Sequence, residues 1–207
     1  IGGVETLFGS SSKIVTDYAN NAYKTSGLSA NQYMETITSF SASLLQSLGG
    51  DTEKAAQIGD MAVTDMSDNA NKMGTSMESI QNAYQGFAKQ NYTMLDNLKL
   101  GYGGTKEEMQ RLLTDAEKIS GIKYDIKNLN DVYSAIHVIQ GELGITGTTA
   151  MEAEKTIEGS MKATKSAWQN LLTGLAGGGD LTPLIDNMVK SVLNLGQNLI
   201  PVIQNVL

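Results

Sequence analysis

The stretch Asp51-Thr-Glu-Lys-Ala-Ala-Gln-Ile-Gly-Asp-Met-Ala-Val-Thr-Asp-Met-Ser-Asp-Asn-Ala-Asn-Lys-Met-Gly-Thr-Ser-Met-Glu78 decides how the rest of the chain reads. Asp51 stands directly before Thr52 and Glu53, where a carboxylate can accept one of the N–H groups that every helix start leaves open. Ile58, Ala62, Met66, Ala70 and Met73 then follow at steps of four or three, which places them on one face of a helix. Gly74 offers a stop, because glycine takes the left-handed conformation that closes a helix at little cost. Thr75 and Glu78 have the spacing of a capping box that would open the next helix.

The same punctuation recurs outward in both directions. Ser29 with Gln32, Thr105 with Glu108 and Thr149 with Glu152 have capping-box spacing, and Thr182 before Pro183 marks a further start. Gly27, Gly49-Gly50, Gly101, Gly121, Gly144 and Gly177 to Gly179 supply the stops. Between them the apolar residues keep helical spacing. Met34, Ile37, Leu44 and Leu48 form one stripe, and Met77, Ile80, Tyr84, Phe87, Met94 and Leu98 another. Met109, Leu112, Leu113, Ala116 and Ile119 form the next, followed by Val132, Ile136, Ile139 and Leu143. A longer stripe runs from Ala150 through Ile157, Met161, Thr164, Trp168 and Leu171 to Leu175. No stretch alternates as a strand should, and the nearest candidate, Ile122 to Lys127, is too short.

These patterns predict an all-α chain. Seven or eight amphipathic helices each need a partner for one face, which gives a bundle or an array of helical hairpins. Residues 1–176 read as a helical core region, 177–180 as a glycine-rich hinge, and 181–207 as a further amphipathic helix continuing into a longer parent chain. The start at Ile1 rather than Met, and the end at Leu207 within an apolar pattern, fit that expectation.

Composition narrows the function classes. With 41% apolar and 18% charged residues among 207, the chain is in the range of folded proteins. Its formal charge of -7 and scattered lysines oppose a dedicated nucleic-acid surface, which needs clustered cations. The absence of cysteine removes disulfides and thiolate metal sites, and a single histidine removes imidazole clusters, so no metal or other cofactor is expected.

The last segment carries the broadest apolar face. Ile185, Val192, Leu199 and Val206 repeat every seven residues, as do Met188, Leu195 and Val202, which is a coiled-coil pattern of three heptads. Leu184, Val189, Leu193, Ile200 and Ile203 widen it. Two readings stand side by side: an interface for self-association or for another protein, with Ile185, Met188, Val192, Leu195 and Leu199 in contact, or a last core helix bent at Pro201. Asn194, Gln197, Asn198, Gln204 and Asn205 oppose a membrane span, so membrane contact is expected only through a parent chain.

Catalytic readings are weak. His137 follows Ile136 and borders an apolar stripe, as a structural histidine does. Glu78-Ser79 matches a step of lysozyme-like transglycosylases in two residues only, and Glu78 already has a capping role. The run Leu100-Gly-Tyr-Gly-Gly-Thr-Lys106 lacks phosphate-loop spacing and joins two helices, so it reads as a sharp turn. Tyr92, Lys99 and Tyr102 near it form a candidate contact patch, though packing of the loop on its own domain accounts for them equally well. No catalytic residue is assigned.

Several strings resemble one family closely. These are Asp65-Met-Ser-Asp-Asn-Ala-Asn-Lys-Met-Gly74 and Ser79-Ile-Gln-Asn-Ala-Tyr-Gln-Gly-Phe-Ala-Lys-Gln-Asn-Tyr-Thr-Met-Leu-Asp-Asn-Leu-Lys-Leu-Gly-Tyr-Gly-Gly-Thr-Lys106. Ala135-Ile-His-Val-Ile-Gln140, Gly144-Ile-Thr-Gly-Thr-Thr-Ala150 and Ala167-Trp-Gln-Asn-Leu-Leu-Thr-Gly174 add to them. Together they are similar to the core region of the tail tape measure proteins of long-tailed bacteriophages, from about Glu5 to the end. The resemblance implies a helical virion component that sets tail length, scaffolds tail tube assembly and takes part in DNA ejection. It also implies tail tube protein, tail assembly chaperones and distal tail proteins as partners, and a place in the virion tail after synthesis in the host cytoplasm; a homo-oligomer is expected separately, from the broad apolar face of 181–207. A segment broken by so many glycine turns is expected to be a compact or hairpin part rather than a length-setting rod. The rival expectation is a secreted or exported helical binding module without enzymatic activity.

Overall fold

A computed structural model describes residues 2–206, and among these ten α-helices occur and no strand. They are α1 (Gly2–Phe8), α2 (Ser12–Thr25), α3 (Ala30–Ser47), α4 (Thr52–Met73), α5 (Met77–Ala88), α6 (Lys106–Ser120), α7 (Leu129–Glu142), α8 (Thr148–Lys155), α9 (Ile157–Gly177) and α10 (Thr182–Val206). Short 3-10 turns cover Gly9–Ser11 and Leu95–Leu98. The all-α reading holds.

The chain forms two compact units. Unit 1 is Ile1–Val15 with Glu35–Thr146, and unit 2 is Thr16–Met34 with Gly147–Leu207, so the divisions fall inside α2 and α3 and just before α8, not at 177–180.

In unit 1, α4 is the central element. Its face of Ala55, Ala56, Gly59, Ala62, Val63 and Met66 is buried, and small residues let neighbours come close. At Gly59 an added Cβ would stand 2.8 Å from Ile37 Cδ1 on α3. Phe40, Tyr84 and Tyr133 fill the centre, with Phe40 edge-on to Tyr133 at 5.4 Å and Tyr84 at 5.1 Å from it. α6 packs on α7, and α7 packs on α4.

In unit 2, α9 packs on both α8 and α10. Tyr23 of α2 joins Ala153, Ala163 and Ala167 in a small core against which Met188 lies. Polar bonds tie the α2–α3 connection to α9: Ala30 N–H donates to Asn170 Oδ1 at 2.7 Å, and Ser166 Oγ donates to Gly27 O at 3.1 Å.

Several helix ends follow the sequence reading. Asp51 accepts from Lys54 N at 3.0 Å, and Ser29 and Gln32 cap each other reciprocally at 2.9 and 3.3 Å. Thr105 accepts from Glu108 N at 3.1 Å, but the Glu108 carboxylate turns away to Gly103 N–H and Arg111, so that box is half formed.

Others are corrected. Ser76, not Thr75, caps α5, accepting from Ser79 N at 3.1 Å, while the Thr75 hydroxyl donates to Asn69 Oδ1. Gly147, not Thr149, stands at the head of α8, with φ 87°, and Thr148 and Thr149 are buried in its first turn. The start read at Thr182 stands, since α10 opens there, but Thr182 is the first helical residue rather than the cap, and its N–H donates to Asp180 Oδ1 at 3.0 Å. The Met77–Leu98 stripe is not one helix, since α5 ends at Ala88 and Gln90 turns the chain with φ 58°. The Ala150–Leu175 stripe is two helices meeting at Thr156, which caps α9 by accepting from Gly159 N at 3.0 Å. Ile119 and Leu143 are exposed at the ends of α6 and α7.

Candidate interaction surface

α9 inverts the usual amphipathic rule. Its buried residues are Gly159, Ser160, Ala163, Ser166, Ala167 and Asn170, all small or polar, whereas Met161, Trp168, Leu172 and Leu175 are about half exposed. The physical reason is backbone approach. A Cβ at Gly159 would stand 2.2 Å from Glu152 O, and one at Gly174 would stand 2.4 Å from Leu184 Cδ1. Glycine at 159 and 174, with alanine at 163 and 167 between them, therefore lets α8 and α10 lie close to α9, and the large apolar side chains are left on the outer side.

α10 divides its broad face between two jobs. Leu184, Met188, Ser191 and Asn198 follow heptad spacing and point at α9 or its core: Met188 packs on the Tyr23 cluster, Ser191 O accepts from Thr164 Oγ1, and Asn198 Nδ2 donates to Thr156 O and Ser160 Oγ. Asn194 adds a bond to Ala153 O at 2.8 Å. Leu195 and Leu199 are half-buried along the edge of this seam. Ile185, Val189, Val192, Ile200, Ile203 and Leu193 point outward, with Leu193 62% exposed. The sequence seam thus splits. Of its named contact residues, Met188 faces the core of unit 2 and Ile185 and Val192 face solvent, while the side chain of Val206 lies outside the described residues. Pro201 sits inside α10 and the helix continues through it.

The Tyr92, Lys99, Tyr102 patch is not a free surface. Tyr92 and Tyr102 are buried, the first stacking on Phe87 and donating to Ile126 O, the second donating to Asp115 Oδ2 at 2.6 Å beneath the Arg111 guanidinium. Burial and the Asp115 bond push the Tyr102 hydroxyl up to about 12. Only Lys99 is exposed, at the left-handed end of the 3-10 turn. The glycine loop is latched to α6: Gly103 N–H donates to Glu108, and Arg111 donates to Gly101 O at 2.8 Å.

A buried polar chain ties α4 to α7 in unit 1. His137 Nδ1 lies 3.0 Å from both Asp65 oxygens, Gln140 Nε2 donates to Asp65 O, and Asn69 Nδ2 donates to Gln140 Oε1 and to Leu98 O. Burial raises Asp65 to about 6 against the opposing effect of His137, and the hydrogen bond to Asp65 holds His137 above its ordinary value. Glu78 is exposed on the first turn of α5, while the histidine is committed to Asp65. Among the described residues there is no group of three or more His, Asp or Glu arranged to hold a metal ion, and no helix long and apolar enough to cross a membrane.

The apolar stripe of the sequence makes Met161, Trp168 and Leu175 the face that needs a partner, and in the structure that face turns outward. The signal for that was present in the small residues at steps of four and three on the opposite side of the same helix. An open cleft of about 410 Å³ also lies in unit 2, with Tyr23, Ala153, Ala163 and Asn194 in its lining and Lys24, Glu154 and Lys190 among its charged groups. Comparison with family models, curated proteins and solved structures returns no match.

Proposed function

We propose that this chain is a structural and assembly component of a phage tail, of the tape measure kind that its sequence strings resemble, and that it works by pressing helical faces against other proteins rather than by catalysing a reaction. The observation that carries the interaction reading is the outward row of large apolar side chains on α9 and α10, set over a core of alanine, glycine and serine. Such a row is unfavourable in water unless something covers it, and grouped exposed apolar side chains mark contact sites. The tail assignment rests on the resemblance, and with it come tail tube protein, tail assembly chaperones and distal tail proteins as partners.

The test is the location of the protein. Mass spectrometry of purified tails should recover its peptides at a few copies per particle, and deletion of residues 147–207 from the gene should abolish normal tails. Recovery from the culture supernatant with none in particles would overturn the tail assignment in favour of an exported binding module. Cleavage of peptidoglycan by the purified chain, lost in Glu78→Gln, would overturn the non-enzymatic part.

A further inference from the structure

We infer that two copies of this chain pair through α10, antiparallel, with the helices crossing at Gly196. The outward residues Ile185, Val189, Val192, Gly196, Ile200 and Ile203 follow at steps of four, three, four, four and three, so they form one stripe along the helix. Gly196 is the anomaly within it. A glycine in a helix interior costs roughly 1 kcal/mol against alanine, and here a Cβ would meet nothing within 4 Å, unlike at Gly159 and Gly174. Nothing inside the molecule requires a glycine at that point. A second helix crossing there does, because the lack of a side chain lets two backbones touch.

The stripe is also symmetric about that residue. Val192 and Ile200 stand four residues to either side, Val189 and Ile203 stand seven, and Leu193 and Leu199 stand three. A two-fold axis through the crossing therefore sets Val192 against Ile200 of the second copy and Val189 against Ile203, as an isologous contact requires. This mirror pattern sets the direction, and opposed helix dipoles favour it. Asp186 and Lys190, the charged residues of α10, pair with each other at 2.8 Å on the side that meets Tyr23 and lie off the stripe.

The area suffices. The five stripe side chains are about half exposed and Leu193 beside them is 62% exposed, which together amounts to roughly 600 Å² per copy when covered and on the order of 1,200 Å² for the pair, the lower end of stable interfaces.

The experiment is sedimentation of the 207-residue chain over a concentration series, with far-UV circular dichroism to show that each variant stays helical. The unaltered chain should reach a dimer, and Ile200→Asp should weaken it by tenfold or more. Gly196→Leu separates this proposal from simple stickiness: it should weaken the dimer, whereas a face that merely associates by greasiness would associate more tightly with an added leucine. Because the chain has no cysteine, disulfide trapping is clean. A mixture of Val189→Cys and Ile203→Cys chains should cross-link to each other, and Val189→Cys alone should not. A monomer at all concentrations, tighter association by Gly196→Leu, self-cross-linking of Val189→Cys, or binding of α10 to lipid vesicles by a chain that stays monomeric would each overturn it. None of these readouts depends on where the protein resides, so the pairing and the tail assignment fail separately.

Discussion

Asp65 and His137 illustrate how a buried pair sets a pH dependence. Both groups hold a proton more tightly in the folded chain than in the unfolded one, Asp65 because burial raises it to about 6 and His137 because of its bond to Asp65. The folded state therefore binds more protons, and stability falls as pH rises. For Asp65 the loss runs between the ordinary carboxylate value near 4 and about 6; for His137 it begins near 6.5 and continues above it. Glu108, lowered to about 2, has the opposite sign, with its contribution lost as pH falls below about 4.5, so it leaves the upper window untouched. Thermal melting should thus shift downward between about pH 5 and pH 8, and His137→Gln should remove the part of the slope above pH 6.5. The same variant should cost about 1–2 kcal/mol, less than the roughly 3–5 of a fully buried broken pair, because the imidazole is 40% exposed. A second contrast involves two tyrosines. Tyr133 OH donates to Tyr84 O at 2.8 Å, whereas Tyr84 OH is buried without a partner. Tyr133→Phe should lose about 1 kcal/mol in urea unfolding, and Tyr84→Phe should be neutral or slightly stabilising.

Helices show where close approach outranks bulk. Gly159→Ala would drive a methyl group to 2.2 Å from Glu152 O at the α8–α9 corner, where the obstacle is backbone and cannot swing aside. The expected loss is about 2–3 kcal/mol, read by the fluorescence of Trp168, the chain's single tryptophan and a reporter of unit 2. The elements themselves were largely legible, because Asp51, Ser29 and Thr105 use the short polar caps that local chemistry demands. Legibility ended where tertiary contact decides. Thr75 and Ser76 both have the spacing of a cap, and only the reach of Thr75 toward Asn69 chooses between them. The close of α5 at a left-handed Gln90 has no glycine to announce it. The Thr156 corner is hidden because the apolar stripe stays in helical phase across it. For the surface, the heptads of α10 were visible, but two interleaved seams cannot be told apart until α9 covers one of them. On α9 the stripe of large residues drew attention to the face that turns outward.

Charge and chain path separate the two units. Unit 1 holds 16 of the 22 acidic and 10 of the 15 basic side chains, which leaves unit 2 with 6 and 5 and nearly neutral. The pairing through α10 should therefore respond weakly to salt, changing by less than about threefold between low and physiological ionic strength. Unit 2 also needs two distant stretches of chain. Residues 147–207 alone lack Tyr23, the Ala30 N–H bound by Asn170 and the Gly27 carbonyl bound by Ser166. That fragment should melt without cooperativity by circular dichroism, and addition of a 16–34 peptide should restore a sigmoidal melt. The interleaved path also has a consequence during synthesis. As the ribosome emits the chain, the Thr16–Met34 segment must wait for more than a hundred further residues before its docking site exists. At about 5–20 residues per second, Tyr23 spends several seconds without Ala153, Ala163 and Ala167 to cover it in every newborn copy, a window in which a holdase has something to grip.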